Sequence, residues 1–146
     1  MNDKRMQQVS QAAAPHLQED EQIEISAFAN IGRVSLKRRA ATAAAVGVAT
    51  GGLLLVSVRP RKTYLAITNQ RLVFLDGDTM SGRPGKLLLT LPRPAVTVSS
   101  VKKGVLTLQT ELAVEGQDQG LRVVFPTPAR EDGQRVIAAL GTAGAA

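Results

Sequence analysis

Residues 64–76, YLAITNQRLVFLD, constrain the fold of this chain more than any other stretch. Tyr64 to Thr68 and Arg71 to Leu75 are dominated by β-branched, aromatic and aliphatic residues, which suit a pleated sheet surface. Only Asn69 and Gln70 separate the two runs. A two-residue connection demands a tight antiparallel hairpin, and Asn tolerates the backbone conformations such a turn uses. Asp76-Gly77-Asp78 then marks a second turn.

The chain has 146 residues, which suits one domain with a core of its own. Aromatic residues make up 3%, and Trp is absent, so that core must be built from Val, Leu, Ile and Ala. Without Cys there is no disulfide framework and no thiolate metal site. The first residues, MNDKRMQQVSQ, lack the apolar run of a secretory signal, and a cytoplasmic protein is expected.

Around the hairpin, period-two patterning predicts further strands. In residues 22–31, Ile23, Ile25, Ala27, Ala29 and Ile31 point one way, Glu24, Ser26 and Asn30 the other, and Phe28 breaks the rule. Strands are also expected over 86–91, 96–100, 106–114 and 121–125. Residues 4–14 read as a short helix stopped by Pro15. A second helix is expected near 130–140, capped by Thr127, with Val136, Ile137 and Leu140 as its apolar stripe and Gly133 weakening it. Seven antiparallel strands and a terminal helix predict a small barrel or an orthogonal sandwich, plugged by that helix.

The net charge of +6 is unevenly distributed. Residues 32–103 carry thirteen basic side chains against Asp76 and Asp78, between two mildly acidic ends. Within this block, Lys37, Arg38 and Arg39 precede nineteen uncharged residues, 40–58, which Arg59, Arg61 and Lys62 follow. These six cations are the candidate contacts to an anionic surface. The uncharged run is near the length that crosses a bilayer, but it is rich in Ala, Gly, Thr and Ser, which gain little from lipid. A spanning helix would also part the first strand from the hairpin. The expectation is therefore an apolar helix that packs on the protein, on a sister subunit or in the membrane interface, with a single-pass anchor as the alternative. Ala43, Gly47 and Gly51 have the four-residue spacing that lets helices approach closely.

Catalytic readings fare poorly. Gly47 and Gly52 have the glycine spacing of a P-loop, but Leu53 and Leu54 replace the lysine and hydroxyl that would hold phosphate and Mg²⁺. Asp76 and Asp78 begin like a calcium loop, and Met80 and Ser81 do not continue it. The lone His16 lies in an N-terminal turn, so no metal or other cofactor is expected.

The phrase YLAITNQRLVF resembles a hairpin that recurs in bacterial pleckstrin-homology-like (PH-like) domains, (Y)-L-x-x-T-(D/N)-x-R-L. Tyr64, Leu65, Thr68, Asn69, Arg71 and Leu72 match it, and AAAPHLQEDEQI and SGRPGKLLLTLP are similar to actinobacterial members. The resemblance covers roughly residues 15–140 apart from the apolar run. It implies a PH-like domain over 22–140, interrupted by an insert at 37–62, with a lead-in over 1–21 and a tail over 141–146. It also implies a non-catalytic binding or scaffolding module, whose partner is an anionic membrane surface, another protein or a second copy of itself. A basic nucleic-acid-binding protein is the alternative.

Overall fold

In a computed structural model of the chain, residues 3–35, 60–117 and 119–141 are described. Seven strands form one antiparallel sheet: β1 Ile23–Ser35, β2 Arg61–Thr68, β3 Arg71–Asp76, β4 Leu87–Pro92, β5 Val96–Lys103, β6 Leu108–Val114 and β7 Gln119–Phe125. Helix α1, Asp3–Ala13, precedes them and helix α2, Arg130–Leu140, follows. The apolar run 40–58 lies outside the described residues.

The spatial order is β4-β3-β2-β1-β7-β6-β5. The 13-residue β1 is the pivot: residues 23–31 pair with β2, and residues 30–35 pair with β7. One face of every strand contributes to a single core, including Ala29, Leu65, Phe74, Leu91, Val98, Leu112 and Phe125. Helix α2 packs into this core through Val136, Ile137 and Leu140.

Of the two expected architectures, the closed barrel does not form. The outer strands β4 and β5 do not pair with one another, so the sheet is open rather than a barrel. Pro92 ends β4 and Pro94 lies in the 3-10 turn that follows, and neither can donate a ladder hydrogen bond. The end of α2 serves the β5 edge instead: the Val98 amide donates to the Gly141 carbonyl. Arg93, in the turn between the outer strands, reaches both the Ala139 carbonyl of α2 and the Thr68 carbonyl of β2.

The opposite face of the β2–β3 hairpin is also covered. Val9 and Ala13 of α1 pack on Tyr64, Ala66, Val73 and Leu75, so β2 from Thr63 to Thr68 is buried on both sides. A register shift between Ile23 and Ile25 corrects the expected alternation of β1. It turns Ile23 toward the α1 cluster while Ile25 joins the main core. Phe28, the exception in the pattern, sits opposite Tyr64 with ring centroids 5.2 Å apart.

Thr127 does not cap α2. It lies in a 3-10 turn, Thr127–Ala129, and its hydroxyl donates to the Leu106 carbonyl. Gly133 is a packing requirement rather than a weakness: a Cβ there would lie 2.5 Å from two atoms of the fully buried Phe125 ring. Helix propensity alone favours alanine at this position by about 1 kcal/mol. The clash should outweigh it, so G133A is expected to lose about 1–3 kcal/mol of stability. Urea denaturation checks this, and a raised midpoint would contradict the helix–strand packing.

Candidate functional site

Three residues that match the hairpin phrase, Thr68, Asn69 and Arg71, form a structural staple. At the β2–β3 turn, the Thr68 hydroxyl accepts from the amides of Gln70 and Arg71 and donates to Glu21 Oε2 at 2.6 Å. The Arg71 guanidinium grips Glu21 with both ends of its fork, Nε to Oε2 at 3.0 Å and an Nη to Oε1 at 2.6 Å. The same Nη donates to the His16 carbonyl. Asn69 completes the join: its Oδ1 accepts from the Gln22 amide, and its Nδ2 donates to the Asp20 carbonyl. With the Asn69 amide donating to the Gln22 carbonyl at 3.1 Å, seven hydrogen bonds tie the turn to residues 16–22 just before β1.

The Glu21 side chain is fully buried, and its charge survives because it is paired. The Arg71 hydrogen bonds hold its pKa at about 2 instead of the ordinary 4.5, against the opposing effect of burial, with help from Thr68 and the Gln18 amide. The same contact holds Arg71 more firmly protonated than usual. The sequence pattern alone assigned Glu21 no role. The available signal was the hairpin itself, since a Thr and an Arg flanking a turn demand an acceptor.

The six candidate cations are only partly placed. Lys37, Arg38, Arg39 and Arg59 lie outside the described residues, as do Ala43, Gly47 and Gly51. Arg61 and Lys62 open β2 opposite Ile31 and Asn30 of β1. As neighbours on one strand they point to opposite faces, so they do not converge. Arg61 also comes within 3.9 Å of Asp76.

Cations do converge elsewhere. A cavity of about 220 Å³ between α1 and the β3–β4 connection is lined by Lys4, Arg5, Gln8, Ser81 and Arg83. Three positive side chains from two separate elements meet there, and no carboxylate is among the described residues that line the space. Asp3 begins the same helix but is not part of the lining. The connection is held down by Tyr64, whose hydroxyl donates to the Gly82 carbonyl at 2.6 Å. Gly82 has φ +72°, a left-handed conformation that glycine adopts without strain.

Arg5 lines a second cavity as well, about 340 Å³, with Phe28, Tyr64, Pro126, Pro128, Ala129 and Asp132. Its guanidinium lies 5.9 Å from the Tyr64 ring centre. The basic cavity and an apolar, aromatic cleft therefore adjoin at Arg5. Among the described residues, no group of three or more His, Cys, Asp or Glu side chains could hold a metal ion, and no helix is long and apolar enough to cross a membrane.

The linkage sign for Glu21 follows from its lowered pKa. Its contribution is fully present above pH 4.5 and is lost as pH falls toward 2. That contribution should be roughly 3 kcal/mol. E21Q should lose a similar amount at pH 7 and show a flatter acid limb between pH 4.5 and 2. Denaturation midpoints of both proteins across this range check it, and parallel acid limbs would contradict the staple.

No protein-family model matches this chain, and no curated protein matches it.

Proposed function

We propose that this chain is a non-catalytic binding module of the PH-like type that engages an anionic, phosphate-bearing membrane surface. The observation that carries the reading is the basic cavity, where Lys4, Arg5 and Arg83 converge with Gln8 and Ser81. Such an arrangement suits an oxyanion, which takes charge from the cations and hydrogen bonds from the amide and hydroxyl. The PH-like reading draws support from seven antiparallel strands, a final helix packed on the core, and the hairpin phrase acting as a staple.

Contact with the surface from one side, rather than a crossing, is supported by β-pairing. Ile31 and Arg61 are Cα partners across β1 and β2. One helical crossing between them would put two hydrogen-bonded strands on opposite sides of a hydrocarbon layer about 30 Å thick. On this proposal Lys37, Arg38, Arg39 and Arg59 add to the positive field without being the primary site.

Co-sedimentation with phosphatidylcholine vesicles containing increasing phosphatidylglycerol tests the reading. Binding should rise with anionic content and fall with salt, at about 1 kcal/mol for each basic residue near the surface. The K4E/R83E double variant should bind at least ~30-fold more weakly, by the same measure for two residues. Binding indifferent to salt and lipid charge would overturn the proposal. Salt-sensitive retention on duplex DNA without vesicle binding would favour the nucleic-acid alternative.

A further inference from the structure

The β5–β6 hairpin carries a feature that the basic cavity does not explain. Val105 is 91% exposed and Leu106 68%, and Val101, farther back on β5, is 39% exposed. Sequence periodicity extends the sixth strand back to Leu106, yet β6 begins only at Leu108. Val105 and Leu106 instead occupy the turn, closed by the Gly104 amide donating to the Thr107 carbonyl at 2.8 Å. Lys102 and Lys103 stand immediately behind them at the end of β5, also exposed.

We infer that this turn inserts Val105 and Leu106 into the outer apolar layer of an anionic bilayer, with Lys102 and Lys103 at the phosphates; the inference rests on the membrane reading above and deepens it. Three observations support a lipid occupant. The order of chemistry along the protrusion, aliphatic tip and ammonium groups behind it, matches the order in a bilayer, acyl chains beneath phosphates. The tip carbonyls are already paired from within the protein. Arg130 donates to the Val105 carbonyl at 3.1 Å, and the Thr127 hydroxyl donates to that of Leu106. Backbone groups satisfied in this way leave water at little cost, whereas bare ones would resist insertion. Those same bonds hold the turn to the start of α2, so little ordering remains to be done on contact.

The tip is joined to the cleft beside the basic cavity. Arg5 lines both that cavity and the apolar cleft. Pro126 and Pro128 line the cleft, and Thr127 between them bonds Leu106. Of the carboxylates on α2, Glu131 and Asp132 pair with Arg135 at 3.3 and 3.6 Å, and Asp132 also lines the cleft.

The chain has no cysteine, so one introduced thiol can be labelled cleanly. V105C carrying an environment-sensitive nitrobenzoxadiazole dye should shift to the blue on mixing with phosphatidylglycerol-containing vesicles. Its emission should be quenched by lipids spin-labelled high on the acyl chain. E115C, in the exposed β6–β7 turn, should report water throughout. The double variant V105S/L106S should keep its thermal midpoint, because both side chains are already exposed, and lose about tenfold or more in vesicle affinity. Salt-sensitive vesicle binding with the dye at 105 still in water, or full affinity in the double serine variant, would overturn the insertion and leave the membrane reading standing. Failure of the unmodified protein to bind any anionic vesicle would overturn both.

Discussion

The buried pair between Glu21 and Arg71 is the contact on which the rest of the architecture depends. An ionised carboxylate with no exposed side-chain surface is tolerable only with strong partners, and this one has a bidentate guanidinium, a hydroxyl and a main-chain amide. Those partners fix where the chain enters β1 relative to the β2–β3 turn. Once Ile23 is set opposite Thr68, the pairing runs on to Ile31 opposite Arg61, and β1 continues to its second partner, β7. A slip of one residue would turn Ala27, Ala29 and Ile31 out of the core, so the entry point matters for the whole sheet.

Much of this was legible in the sequence, because alternation and turn chemistry act locally. Asn69-Gln70 marked the hairpin, and the alternation of Ala27, Ala29 and Ile31 marked the core face of β1. The misreadings are tertiary in origin. Ile23 fits a period of two, and a bulge turns it to the other face. The β2–β3 hairpin reads as half-buried, yet α1 covers its second face. In retrospect the near absence of polar residues from Ala66 and Val73 to Leu75 carried that signal. Gly133 looks like a helix fault until Phe125 is placed beneath it. Thr127 has the composition of a cap, but the carbonyl of Leu106 offers it a better use.

The candidate site was less legible than the fold for a related reason. Charge clusters along the chain are visible in sequence, as at 37–39 and 59–62, and of those six candidate cations only Arg61 and Lys62 lie among the described residues. The cluster that the described residues do bring together draws on distant positions: Lys4 and Arg5 in α1 and Arg83 in a mid-chain connection. Tyr64 belongs to both stories. Its ring floors the cleft, and its hydroxyl anchors the connection that carries Arg83. The hairpin phrase thus supports the surface without being the surface.

Hydrogen–deuterium exchange, with and without anionic vesicles, separates these roles in one measurement. New protection is expected at residues 102–107, in the first turn of α1 and around 81–83. No change is expected at the 68–71 turn, where the amides are already engaged within the fold. Protection confined to the 68–71 turn, with the β5–β6 tip unaffected, would mean that the hairpin phrase is the ligand site and would contradict the account.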